Sequence, residues 1–252
     1  MYLESVSLYP EKFPTTECYP FNIQTFHTTD CIEFKSPVTF FVGENGTGKT
    51  TFLKAISHKC GIHIWGNADR SRYERNPYEE ELHKALEVGW INGNVPGSYF
   101  GSDIFRNFAK MLDEWAVADP GMLSYFGGTS LMTQSHGQSL MSFFRNRYKI
   151  KGIYFLDEPE TALSPKTQLE LLSLLVEMSG TGHAQFIMAT HSPILMACPV
   201  AEIISFDSAP LKKIGYEETE HYQVFKKFLT DKDVYLHEMQ KKLMQKRKVK
   251  KE

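Results

Sequence analysis

Cysteine is scarce: the 252 residues hold four, Cys18, Cys31, Cys60 and Cys198, none in a CxxC pair. Scattered thiols exclude a disulfide framework and fit a reducing compartment, so a cytoplasmic protein is expected. His58 and His63 flank Cys60, but three residues without a fourth ligand make a poor zinc set. No apolar run approaches the roughly 18 residues of a membrane span, so no integral membrane segment is expected. The opening MYLESVSLYPEKF has no basic segment leading into an apolar stretch, and no export signal is expected there. Internal repeats are missing as well.

A general basic surface is also lacking. The net charge is −2, yet residues 241–252 carry seven basic side chains against Glu252, a local balance of +6. The remaining 240 residues hold 21 basic and 29 acidic side chains, a balance of −8. A core of that sign argues against wrapping nucleic acid, which leaves nucleic acid or an anionic membrane as a possible partner of the tail alone. The other reading of the tail is a solvated charge run. What remains is ordinarily globular: 42% hydrophobic and 23% charged, enough for one sizeable core. The expected organisation is one domain over 1–240, with a helical lobe near 79–150, followed by the basic tail 241–252.

The strongest local signal is Gly43-Glu44-Asn45-Gly46-Thr47-Gly48-Lys49-Thr50, a complete GxxxxGK[ST] loop. It follows the apolar run Val38 to Val42 and precedes a helix-capable stretch from Thr51 to Lys59. Strand, loop and helix in that order are the context such a loop needs. Glycines let successive N–H groups point into one concavity, and the helix start adds its positive end, making a polyphosphate site. Lys49 is placed to reach the β- and γ-phosphates and Thr50 to hold Mg²⁺; Thr51 completes the set of loop contacts. The expected ligands are a nucleoside triphosphate and Mg²⁺.

Further elements follow from periodicity. Tyr2 to Leu8 alternates and reads as an edge strand; Ile32 to Phe34 reads as a short one. Residues 60–100 read as irregular loop with a short helix near Glu79 to Glu87. Ile104, Phe105, Phe108, Met111, Leu112 and Trp115 fall at helical spacing, closed by Asp119-Pro120-Gly121. A second helix starts after Gly137. Three buried strands are expected at 153–156, 185–189 and 203–206, with a helix from Pro165 to Met178 between the first two. Alternating buried strands and helices imply a mostly parallel sheet. The final 30 or so residues read as helical.

Ile153 to Leu156 runs into Asp157-Glu158. An apolar strand ending in two acids suits an aspartate that supports Mg²⁺ and a glutamate that polarises water. Thirty-three residues beyond Glu158, His191 follows another buried strand and is placed at the same sheet edge. Ser135-His136-Gly137-Gln138-Ser139 opens a helix and offers a second anion site. One chain cannot bring both sites to one nucleotide if they lie on different lobes; two chains, head to tail, can.

Taken together, GENGTGKT, SHGQS, IYFLDEPE, the following TALS and the ATHS segment resemble the ABC-type ATPase superfamily. Within it the chain is similar to the small stand-alone "AAA family" predicted ATPases of bacteria, relatives of SMC and recombination-type heads. The resemblance covers roughly residues 1–208. It implies an α/β P-loop NTPase fold: a mostly parallel central sheet, an ABC-ATPase-like head, a small helical lobe and an antiparallel N-terminal β region. It further implies an ATP-sandwiched homodimer in which Ser135 and Gly137 of one subunit close on the phosphate held by Lys49 of the other. Glu158 would be the general base, His191 the switch, and Ala162 to Ser164 the link between sites. The implied activity is ATP hydrolysis coupled to a protein partner in DNA maintenance or defence. The alternative is the ATP-binding subunit of a membrane transporter.

Three departures bear on this. The signature reads SHGQS rather than LSGGQ, and Ser164 stands where the family usually has Asp. No glutamine lies between Gln24 and Gln134, so the residue that links ATP to a transporter's membrane domain has no counterpart. Asp103 is either a metal-site acid or an acid at a helix start. Tyr19 and Phe21 are either adenine-stacking or core residues. Arg70, Arg72 and Arg75 lie either near the phosphates or on a solvated loop.

Overall fold

The fold is given by a computed structural model, which describes residues 1–64, 76–126, 128–133, 136–237 and 239–240. The amino-terminal part holds β1 (Leu3–Leu8), α1 (Gln24–Thr28), β2 (Cys31–Glu33), β3 (Val38–Val42) and α2 (Lys49–Lys59). Then come β4 (Leu86–Trp90), β5 (Gly97–Gly101), α3 (Ser102–Ala118), α4 (His136–Arg147) and β6 (Gly152–Asp157). The chain continues through α5 (Pro165–Gly180), β7 (Ala184–Ala189), α6 (Pro193–Met196), β8 (Ala201–Ser205), β9 (Lys212–Ile214) and α7 (Glu220–Thr230).

Six strands form one sheet in the order β5-β6-β7-β3-β8-β9, parallel except for β9. Its central strands are buried on both faces, which is why they read as continuous apolar runs. Side chains still alternate between two cores. Phe40, Leu156 and Met188 face α3, α4 and α5, joining Leu112, Phe144 and Leu171. Phe41, Phe155 and Ile187 face the other way and join Phe52 and Ile56 of α2 with Leu3 and Val6 of β1.

A second, antiparallel sheet, β2-β1-β4, covers that other face. Gln185 ties the two sheets together. Buried in β7, it accepts from the backbone N–H of Tyr2 at 2.7 Å and of Leu3 at 2.9 Å, and donates to Leu3 O at 2.9 Å. One amide side chain thereby completes the backbone bonding where β1 begins.

The mostly parallel sheet and separate antiparallel region agree with the sequence reading; two local expectations do not. β1 is the central strand of its sheet, not an edge. Within the described part of residues 60–100, besides a 3-10 turn at Glu81–Ala85, the loop is interrupted by two strands, β4 and β5. β5 has glycine at both ends and β4 glycine at its fourth position, a composition that hides strands which pairing partners then enforce. The amphipathic helices α3 and α5 fall where their periodicity put them, whereas the helix expected near 79–87 is only the 3-10 turn, with β4 beginning at Leu86. In α3, Ile104, Phe105, Ala109 and Leu112 are buried. Ser164 caps α5 by accepting from Thr167 N–H, with Pro165 at the first turn.

Candidate active site

β3 ends at Val42 and the chain turns through Gly43–Gly48 into α2. Two glycines make that turn possible. Gly43 has φ 143°, and a Cβ there would sit 2.8 Å from Asp207 Oδ1; Gly48 has φ 97°, and a Cβ there would sit 2.8 Å from Phe26. Larger residues would meet both a strained backbone and a wall. Asp207, just past β8, accepts from Glu44 N–H at 2.7 Å and so pins the loop's entry. At the exit, the first-turn N–H groups of α2 have no carbonyl of their own helix to meet.

Lys49 is buried, and its ammonium donates to Gly43 O at 2.6 Å and Glu44 O at 2.8 Å. Burial lowers its pKa, while Glu158, Asp207, Asp157 and Glu44 oppose that shift. The Thr50 hydroxyl donates to Asp157 Oδ1 at 2.8 Å, and the Tyr99 hydroxyl to Oδ2 at 2.9 Å. Burial raises the Asp157 pKa against both hydrogen bonds.

The next residue, Glu158, has φ 46° and ψ 53°, and no other described non-glycine residue has positive φ. Its N–H still donates to Ala189 O at 2.9 Å, so β6 and β7 hold the turn. Its Oε1 lies 3.7 Å from His191 Nε2. That Nε2 is buried and makes no hydrogen bond among the described residues. On the far side of the ring, Nδ1 lies 2.8 Å from Nε2 of His221 on α7. Glu160 accepts from His191 N–H at 2.5 Å, which fixes the backbone beneath the ring. Burial raises the Glu160 pKa and, with Lys49 and His221, lowers that of His191. These effects favour the neutral imidazole.

The structure therefore gathers Lys49, Thr50, Asp157, Glu158 and His191 at the carboxyl ends of β3, β6 and β7. Gly137 lies elsewhere, in a groove shared with Met141, Arg145, Ala162, Ser164 and Glu170, none of them from the glycine loop. Ser135 falls outside the described residues, as do Arg70, Arg72, Arg75 and the tail 241–252; the same holds for the side chains of Asp103 and His136. Phe21 is a core residue against Phe13 at 4.8 Å. Tyr19 is exposed, and its hydroxyl meets that of Thr51. Among the described residues no group of His, Cys, Asp and Glu forms a metal cluster, His58 and Cys60 included.

Tyr99, Glu160, Asp207 and His221 escaped the sequence reading. Asp207 follows a buried strand and had a signal of the same kind as Asp157. Tyr99 sat in the strand that was missed, and His221 carries no local mark at all.

The donor set fits a triphosphate with a divalent cation. An unpaired buried N at His191, a lysine held only by loop carbonyls, and a hydroxyl–carboxylate pair suited to hard cations all meet at one edge. Comparison with known proteins agrees. Residues 121–197 match the family described as "AAA domain, putative AbiEii toxin, Type IV TA system", and residues 21–82 match an "AAA domain" family. The chain is 25% identical over 182 residues to the manganese transport system ATP-binding protein MntA of Synechocystis, covering 66% of this chain and 68% of that one. It is 20% identical over 182 residues to the thiamine import ATP-binding protein ThiQ of Haemophilus influenzae, covering 69% and 84%. Among solved structures, an SmcHead crystallised with the C-winged helix domain of ScpA superposes with a TM-score of 0.52 at 13% identity, over 86% of this chain and 99% of that one. Two AAA domain segments match within the chain, its relatives are ABC-type ATP-binding proteins, and the solved head shares its fold; the loop geometry agrees with that class of protein.

Proposed function

We propose that the chain binds Mg-ATP and hydrolyses it within a head-to-tail homodimer. The observation that carries this reading is the convergence of Lys49, Glu158 and His191 at one sheet edge, with Glu158 Oε1 3.7 Å from His191 Nε2. The glycine loop and Lys49 bind the triphosphate, and Thr50 with Asp157 hold Mg²⁺, which neutralises phosphate charge when bound. Glu158 orients water and takes its proton; His191 donates from Nε2 toward a phosphate oxygen. Ser135 and Gly137 of a second copy seal the site from across the interface. The groove that joins Gly137 to Ala162 and Ser164 supports this, because it puts the signature helix beside the segment that would pass information between sites.

The output is coupling to a protein partner. The family description of residues 121–197, which names a putative toxin of a toxin–antitoxin system, favours a defence setting over DNA maintenance. The named import proteins favour a transporter subunit instead. The missing glutamine between Gln24 and Gln134 weighs against that, as there is no residue to carry the signal to a permease.

The test is Glu158→Gln with saturating Mg-ATP, followed by light scattering on a sizing column. Removing the base while keeping the fold should leave phosphate release at background and accumulate a dimer of twice the monomer mass. A variant that stays monomeric, or that releases phosphate at the unmodified rate, overturns the sandwich reading.

A further inference from the structure

His191 and His221 face each other across 2.8 Å, nitrogen to nitrogen. Between two neutral imidazoles at that distance, one ring must donate and the other accept. Two arrangements satisfy this. In the first, His221 Nε2–H donates to His191 Nδ1, and the single hydrogen of His191 sits on Nε2. In the second, His191 Nδ1–H donates to His221, and His191 Nε2 presents a bare lone pair.

The surroundings of His191 Nε2 discriminate between them. That atom is buried, makes no hydrogen bond, and lies 3.7 Å from Glu158 Oε1. A lone pair turned toward a carboxylate oxygen is repelled by it, whereas an N–H is attracted. Lys49 pulls the other way, but its ammonium is turned to the carbonyls of Gly43 and Glu44. Glu160 engages the backbone N–H of His191 and leaves both ring nitrogens to other partners. The local contact therefore selects the first arrangement.

We propose that His221 is a positioning residue: it donates to His191 Nδ1 and holds that ring as the Nε2–H tautomer. This is the neutral form that can donate to a carboxylate or phosphate oxygen from Nε2. The helix that carries His221 is anchored for the task. Thr219 caps α7 by accepting from Tyr222 N–H, and the Tyr216 hydroxyl donates to Pro193 O at 3.0 Å, two residues beyond His191. The inference rests on the assignment of His191 to the phosphate site, but the tautomer itself can be read without nucleotide.

The experiment uses the full chain labelled with ¹⁵N-histidine, with His191 assigned by the signals lost in His191→Gln. Long-range ¹H–¹⁵N spectra should show His191 protonated at Nε2 and bare at Nδ1. His221→Phe keeps a ring but no donor and should give a mixture of tautomers. His221→Glu offers only an acceptor and should move the hydrogen to Nδ1, while His221→Gln, with an amide N–H, should restore the original pattern. Phosphate release should follow: kcat down about tenfold in the Phe variant, the scale for loss of a histidine's outer partner, with KM unchanged and most of the rate regained in Gln. A wild-type His191 protonated at Nδ1, or a tautomer indifferent to His221→Phe, overturns the proposal. The expected spectra in a protein that releases no phosphate would refute the ATPase reading and leave the assignment of the tautomer intact.

Discussion

Thr50 and Asp157, 107 positions apart in sequence, share a 2.8 Å hydrogen bond that joins the first turn of α2 to the end of β6. The hydroxyl lies just past the loop proposed to grip phosphate, and the carboxylate lies beside the residue proposed as base. Any cation held here is held by both elements at once, so the bond fixes where the two halves of the site meet.

That carboxylate is a local cost. It is 8% exposed, and burial raises its pKa despite the hydroxyls of Thr50 and Tyr99. We expect Asp157→Asn to remove the buried charge, keep a hydrogen-bonding side chain and raise the melting temperature in EDTA. About 1 kcal/mol of relief corresponds to roughly 2–4 °C in a chain of this size. Mg²⁺-dependent phosphate release should be lost in the same variant. Calorimetry showing a lower melting temperature would mean that the charge stabilises the fold, contrary to this argument.

Lys49 is held by two loop carbonyls in addition to any phosphate contact. Lys49→Ala should therefore leave the circular dichroism spectrum unchanged while weakening ATP binding by roughly 100-fold or more, given about 1.5–3 kcal/mol per hydrogen bond to a charged group. Fluorescent-nucleotide titration measures it. Undiminished affinity would place the nucleotide elsewhere.

Gln185 makes a prediction about the fold alone. Gln185→Leu matches its volume approximately but strands the N–H groups of Tyr2 and Leu3 in a buried setting. Each unsatisfied donor costs about 1–3 kcal/mol, so a loss of roughly 2–5 kcal/mol is expected in denaturant unfolding. A loss below 1 kcal/mol would show that β1 docks through its apolar side chains alone.

What could be read from the sequence was local. The glycine loop, the acids closing β6 and the apolar faces of α3 and α5 are contiguous or regularly spaced, so their geometry follows from chain periodicity. β1 gave its alternation but not its central place, because pairing partners on both sides are a property of the sheet. β4 and β5 were obscured by glycines that only tertiary pairing explains. Tyr99 meets Asp157 through a neighbouring parallel strand, and His221 meets His191 through a helix thirty residues later. No spacing rule announces either contact.

Glu158 occupies a left-handed backbone conformation that glycine or asparagine adopts more cheaply, by on the order of 1–3 kcal/mol in sparsely populated regions. A screen of random variants for heat resistance alone would consequently enrich Glu158→Gly, and every such winner would lack the proposed base. Sequence drift toward robustness and retention of chemistry pull in opposite directions at this one residue.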